Sequence, residues 1–550
     1  MAKAVKSPAV MDVPELVVRL HAPGMTPLLR AGAGGLASSL RSLLLRETPG
    51  ATWPAPVPLG PGSATAEPTS IRLSWGGKPP AETLEVLFRE SFRIRESPGV
   101  IDLPGAYAPG APPRPEVAAA LQDALKLTFL QHGKSTTKEG VPKVLTFSVD
   151  ERELRLEVQG YSGFVHQGAW KDVVEALTRG TVTLAGWAYP GAAERHIGLR
   201  VTKMEYSAAE ALCACFAPVG CLSYKVPQAR GGALVALAPS DLVRFAELRP
   251  SLTPQRLEEA SVAGASDAVL AVQLALRMES RRRQHRVLDT AEAFTLRTLP
   301  WASQQKSRSG VLHSSTVPEA VLDRYETAAR ELPNRLRVLL PKDKGGKGKA
   351  SASQGPAGFF VASSALRAFI TENLAAGQPW FKDFATAAVT LDNKRRFIHH
   401  YRAQDNLGAL FPEERKGLIA MLKHLEDAEQ TLVESVHVAL RQRFGAIAEE
   451  SRGNPVARKN RWNAERDRWR LAFSGAKTFE QVRAALADLW SRAGGNRALQ
   501  ERWKQVLPLL RQEHWRAARD LALVALASYQ GQGIEAPEAA DEEGPLSEAQ

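Results

Sequence analysis

The stretch Arg452–Arg470, RGNPVARKNRWNAERDRWR, combines the residue types that hold a phosphate backbone. Wound on a 3.6-residue helix, Trp462, Trp469 and Phe473 share one narrow face, bordered by Arg461 and Arg468 on one side and by Lys459, Arg466 and Arg470 on the other. A guanidinium can fork onto phosphate oxygens without reading any base, which makes Arg461, Arg466 and Arg468 candidate contacts for a displaced single strand. The tryptophans are also what a bundle helix buries while arginine stems snorkel past them. Three further basic groups stand elsewhere. Arg395 and Arg396, beside His399-His400, read as a basic face, because the carboxylates and spacing of a metal or general-base site are missing. Arg281, Arg282, Arg283 and Arg286 close a helical pattern over 266–280, where cations suit the helix dipole as well as a phosphate, and Lys306 and Arg308 add a second basic point. The loop Lys225-Val226-Pro227-Gln228-Ala229-Arg230-Gly231-Gly232 lies between two apolar runs. Lys225, Gln228 and Arg230 there are candidate readers of a duplex flank, although the same residues also suit an ordinary hairpin tip.

No catalytic constellation accompanies these groups, and neither a metal site nor a cofactor is expected. Gly32-x-Gly34-x-x-Ala37 matches a dinucleotide fingerprint in form only. A Pro-rich loop, Pro49–Pro61, follows where a second parallel strand should come, so the glycines are expected to let the helix pack closely on the first strand. Gly133-Lys134-Ser135 imitates the end of a phosphate loop, but Thr128 occupies the upstream glycine position and a helix precedes the motif instead of following it. Cys213, Cys215 and Cys221 lack zinc spacing and read as small core residues of a reducing compartment.

The 550 residues, 44% hydrophobic and 24% charged, allow more than one core, and a net charge of +12 favours an anionic partner. Residues 359–531 carry 27 Lys and Arg against 19 Asp and Glu, whereas 532–550 carry 6 acidic residues and no basic ones. That places a basic domain ahead of an acidic, solvated tail. Asp12, Glu15 and Arg19 interrupt the start of the chain, and the longest apolar run, Leu521–Tyr529, is half a membrane span, so a cytoplasmic protein with no membrane partner is expected.

The elements that must position these groups change character along the chain. Leu16–Leu20 and Ile71–Trp75 read as strands, 31–46 and 115–131 as helices, and Val144–Val149 with Leu154–Gln159 as a β-hairpin turned at Asp150–Glu153. Strands over 182–187 and 197–206 continue the antiparallel character. Pro341–Gly358, rich in Gly, Ser and Lys, marks the boundary. Beyond it a helix from Pro412 to Gly445, a capping box at Thr478-x-x-Gln481 and two further helices reaching Tyr529 predict a bundle of about five or six helices. The fold class is α+β: a mixed α/β region with antiparallel strands over 1–340, a basic linker over 341–358, an all-α bundle over 359–531 and the tail.

Five separated blocks carry a resemblance: HAPGMTPLLRAGAGGLA (His21–Ala37), FLQH (Phe129–His132), GWAYPGAAERH (Gly186–His196), AALADLWSRAG (Ala484–Gly494) and WRAARDLALVALASY (Trp515–Tyr529). In this order they resemble the large subunit of type I CRISPR interference (Cascade) complexes in its Myxan subtype, the DevT-like group linked to fruiting-body development. The likeness runs from about Val18 to Tyr529, leaving out the Pro-rich loop and the linker. It implies a non-catalytic subunit of an RNA-guided DNA surveillance complex, seated near the 5′ handle of a guide CRISPR RNA. The implied partners are target double-stranded DNA with its displaced strand, backbone and handle-binding subunits, and a recruited helicase-nuclease. The C-terminal bundle would resemble the small subunit. No contact residue is carried over from the family; those named above rest on their own chemistry. Two rival classes stay open: a stand-alone DNA-binding developmental regulator, and a nucleotide-binding enzyme using the phosphate-loop-like fragments.

Overall fold

The computed structural model describes residues 14–184, 204–227, 231–283, 287–297, 312–314, 317–339, 357–389 and 412–530. The linker residues 341–356, residues 197–203 of the strand expected over 197–206, the Gly186–His196 block, His399-His400 and the acidic tail lie outside them. The chain divides into two compact units, Met1–Ala329 with Pro333–Ala376, and Arg330–Leu332 with Gly377–Gln550.

In the first unit, alternating sequences such as ELVVR and SIRLS form half-buried strands. β1 (Glu15–Arg19), β2 (Val57–Leu59), β3 (Gly62–Ala66) and β4 (Ser70–Ser74) make an antiparallel sheet ordered β1-β4-β3-β2. Helix α1 (Pro27–Glu47) starts where Thr26 accepts the Leu29 N–H and Pro27 fills the first turn. Then come α2 (Pro80–Ser91), α3 (Pro115–Thr128) and α4 (Ala208–Gly220), the last opened by a Ser207/Glu210 capping box. Gly32 and Gly35 of α1 meet α4, and Gly34 meets the Phe245 ring of the helix Leu242–Leu248, not the first strand as the sequence suggested. A Cβ on Gly35 would stand 2.3 Å from the Phe216 carbonyl oxygen, and one on Gly220 would stand 1.7 Å from that of Ala31. Only bare backbone permits that approach, so the fingerprint-like glycines are accounted for by helix packing.

The hairpin forms as β5 (Lys143–Val149) and β6 (Arg152–Val158), with Asp150 and Glu151 at φ 49° and 65°. Two successive left-handed residues are what a two-residue hairpin turn of matching twist needs, so the turn is tighter than expected. A second antiparallel sheet runs β7 (Leu222–Val226), β8 (Gly231–Pro239), β9 (Leu288–Arg297) and β10 (Leu312–Ser314) in spatial order. Every residue of β8 is buried, with α1 and α3 packed against it.

The expected boundary falls differently. β11 (Arg335–Leu339) pairs antiparallel with β12 (Gly358–Ala362), so the Gly/Ser/Lys-rich segment connects two neighbouring strands within the first unit. Composition alone cannot distinguish a hairpin insertion from an interdomain linker, since both lack an apolar pattern. On either side of it, α5 (Ala265–Arg283) and α6 (Glu319–Glu331) before and α7 (Ala365–Ala375) after are tied by a buried cluster. Arg367 reaches the Asp267 carboxylate at 2.8 Å, the Tyr325 hydroxyl donates to the same oxygen at 2.9 Å, and the Ala263 N–H donates to the other oxygen at 2.8 Å.

Among the described residues, those from Leu422 to Ser528 form helices only. The second unit contains α8 (Pro412–Met421), α9 (Asp427–Glu450), α10 (Pro455–Gly475), α11 (Phe479–Ala493), α12 (Arg497–Val506) and α13 (Trp515–Ser528). The single helix expected from Pro412 to Gly445 is broken. A 3-10 turn at Leu422–His424 ends the first piece, and a Glu426/Glu429 capping box opens the second. The apolar spacing survives the break, which is why periodicity alone did not reveal it. Leu432, Val436 and Leu440 of α9 and Leu521, Val524 and Ala525 of α13 are all buried, and α9 and α13 pack together.

Candidate nucleic-acid interface

The first candidate element is the connection between β7 and β8. Its register pairs Val226 with Gly231, which confirms a hairpin; Gln228, Ala229 and Arg230 lie outside the described residues. Lys225 sits on β7 with its ammonium 3.0 Å from Asp123 of α3. Such half-exposed pairs contribute only about 0–1 kcal/mol, so a phosphate can displace the carboxylate at little cost. The neighbouring glycines serve the core: a Cβ on Gly232 would stand 2.9 Å from that of Leu127, so this bare backbone is covered by α3 and is not open to a groove.

The basic helix end is the C-terminus of α5, which carries Arg281, Arg282 and Arg283 in its last turn; Arg286, Lys306 and Arg308 lie outside the described residues. About one turn upstream of Arg281, Arg277 has another task. Its guanidinium lies 2.7 Å from Asp323 and 2.5 Å from Glu326 of α6, with Glu319 at 3.7 Å, and its side chain is nearly buried. The ion pairs hold α5 against α6 and leave the cationic end beyond them.

On α10 the aromatic face is core. Trp469 and Phe473 are fully buried, and the Trp469 indole donates to Glu465 at 3.0 Å, itself 3.2 Å from Arg443. Trp462 is half-buried and donates to the Phe444 carbonyl at 3.1 Å. The arginines separate. Arg461 pairs with Glu450 at 3.2 Å and Arg468 with Asp488 at 3.0 Å, all four side chains about half exposed, and Arg468 also lies over the Trp469 ring. Arg466 is partly buried, and burial, with Arg415 nearby, lowers its pKa from the ordinary guanidinium value. Four residues after Trp462, it falls within the aromatic stripe and not on its border. Arg395 and Arg396 lie outside the described residues.

The phosphate-loop-like fragments have structural roles. The buried Ser135 hydroxyl closes the turn after α3 through the carbonyls of Leu130 and His132, and a short strand, Thr136–Lys138, follows. The three cysteines are buried, which pushes their thiol pKa values up. Among the described residues, no group of three or more His, Cys, Asp or Glu could hold a metal, and no helix is long and apolar enough to cross a membrane.

Residues 17–215 match the model of the DevT N-terminal domain, and residues 422–550 that of the DevT C-terminal domain. The chain is also 62% identical over 545 residues to the CRISPR-associated protein Cas8a1/Csx13 of Myxococcus xanthus (strain DK1622), covering 98% of this chain and 93% of the relative. The chain belongs to the Cas8a1/Csx13 family. The two matched regions coincide with the α1–α4 packing in this family member and with the helices from Leu422 onward.

One polar group of this Cas8a1/Csx13 family member was missed in the sequence, although an acid at the head of the apolar run of α13 was its signal. The Asp520 carboxylate accepts the N–H groups of Asp383 at 2.8 Å and Ala385 at 3.0 Å, capping the short helix Phe384–Val389. Burial outweighs these bonds and Arg519, and its pKa is pushed up to about 6. A folded-state pKa above the ordinary 3.8 means that the native chain binds this proton more tightly than the unfolded one. Its contribution to stability is therefore largest in acid and is lost as pH rises through about 6. Chemical unfolding at stepped pH should show Asp520→Asn lacking that decline between about pH 4 and 6; identical slopes for both proteins would dismiss the assignment.

Proposed function

We propose that the protein is the non-catalytic large subunit of a type I CRISPR surveillance complex. The observation that carries this reading is the 62% identity to Cas8a1/Csx13 along nearly the whole of both chains. In RNA-guided complexes, base pairing with the guide reads the target, while protein reads a short flanking motif and stabilises the displaced strand. In this assignment Lys225, Gln228 and Arg230 contact the duplex flank. Arg281, Arg282, Arg283, Arg286, Lys306 and Arg308 take backbone phosphates of guide or duplex. Arg395, Arg396, Arg461, Arg466 and Arg468 follow the displaced strand, with Arg461 and Arg468 the more accessible members of the α10 group. Its partners are the guide RNA, target DNA, the backbone and handle-binding subunits and a helicase-nuclease that arrives once target is bound; its compartment is the cytoplasm. The weak surface pairs of Lys225, Arg461 and Arg468 support exchange of carboxylate for phosphate.

The test is a randomised-flank binding screen with assembled complexes. Gln228→Ala and Arg230→Ala should each relax preference at one base pair, by about 1–3 kcal/mol where the side chain held a base edge through two hydrogen bonds. Unchanged motif preference in both variants would remove the hairpin from flank recognition.

A further inference from the structure

The described chain exposes one tryptophan as a large apolar surface. Trp503 on α12 keeps 50% of its area in solvent, and Leu507, one turn further along the same face, keeps 44%. The opposite face is held down: Arg502 pairs with Glu434 of α9, and Gln505 receives the Thr431 hydroxyl at 2.8 Å. At Arg502 the backbone leaves helical geometry, with φ −130° and ψ 22°, immediately before Trp503. Sequence and fold thus fix α12 to the bundle by its polar residues and turn its largest aromatic outward. A cation lies against the ring, and Arg511 and Arg516 follow in the chain with the exposed Glu513 between them. Lys504 lies 5.8 Å from its centroid, and Lys504, Arg511 and Arg516 are exposed and pair with no carboxylate among the described residues. Arg516 instead covers the Trp515 ring at 4.6 Å. Arg461 and Arg468, by contrast, already have acidic partners.

A half-exposed indole costs solvation, and the lysine beside it with the net positive chain that follows disfavours a basic partner and suits a polyanion with a flat apolar group. Unpaired nucleic acid has both features, since every base offers a π-face and every link a phosphate. We propose that Trp503 is a stacking platform for an unpaired base, with Lys504, Arg511 and Arg516 holding the adjoining phosphates. The inference rests on the reading that this chain holds the displaced strand, and it adds that the strand is gripped by a base as well as by its backbone.

The experiment separates base from phosphate. The full-length protein is titrated with a thymidine oligonucleotide and with an abasic one of equal length, which carries the same charges. Wild type should bind the thymidine oligonucleotide about tenfold more tightly. Trp503→Ala should abolish that difference and leave the salt slope unchanged, and Trp503→Phe should restore part of it. Replacing Lys504, Arg511 and Arg516 by Gln should instead flatten the log–log salt slope by about 0.7 for each phosphate no longer neutralised. Equal binding of both oligonucleotides by wild type, or a base preference that survives Trp503→Ala, overturns the proposal. Release of a protein subunit from the Trp503→Ala complex, with oligonucleotide binding unchanged, also overturns it by making the patch a subunit contact. Footprinting of the displaced strand in the assembled complex distinguishes the two levels. Protection unaffected by Trp503→Ala defeats the stacking inference alone, whereas an unprotected strand in the wild-type complex defeats the strand-holding reading and this inference with it.

Discussion

Replacing Arg367 by Met should destabilise the first unit by about 3–5 kcal/mol, because it leaves the Asp267 carboxylate, which has no solvent exposure, without its cation. The backbone N–H of Ala263 and the Tyr325 hydroxyl remain, but two neutral donors do not replace a guanidinium at 2.8 Å. Urea unfolding of Arg367→Met should show the loss as a lower midpoint. The double variant Asp267→Leu with Arg367→Met should recover only part of it, since exchanging a buried ion pair for apolar residues is often neutral but here also takes the acceptor from the Ala263 N–H and the Tyr325 hydroxyl. A single variant as stable as wild type would mean that the cluster is wetter than its geometry implies.

The second large effect separates three tryptophans that the sequence presents alike. Trp469→Ala should cost the second unit about 3–5 kcal/mol, through the cavity it opens and through Glu465, which is deprived of its indole donor. Trp462→Ala should cost less because that ring is only half-buried, and Trp503→Ala should stay within about 0.5 kcal/mol, as expected of a surface site. Thermal unfolding of the three full-length variants checks the order. Equal losses at Trp469 and Trp503 would contradict both the burial of one and the exposure of the other.

These expectations show how far residue patterns reach. The α+β class, the hairpin over Lys143–Val158, the Thr478 cap and the helices from Leu422 onward were legible because each depends on local chemistry: alternation, turn residues, a capping side chain and a 3.6-residue period. What was not legible depended on distant partners. Nothing in GAGG announces that its glycines face Cys213, Phe245 and Phe216, and nothing in PKDKGGKGKASASQGPAG shows that the strands on either side pair with each other. The candidate interface divides in the same way. Arg461, Arg466 and Arg468 were grouped by type, yet only folding reveals that Arg466 turns inward while the other two find acids on neighbouring helices. Trp503 escaped notice because exposure is decided by which face of α12 the rest of the bundle occupies.

The Asp267–Arg367 contact also imposes an order of events during synthesis. The two residues are separated by 100 positions, with the long β11–β12 connection between them. At a translation rate of about 5–20 residues per second, the carboxylate on α5 waits on the order of 5–20 s for its arginine. Until then α5 must keep that carboxylate open to water. A nascent chain arrested just before β12 should accordingly remain protease-sensitive around α5 and α6, and one extended far enough to release α7 from the ribosome should not.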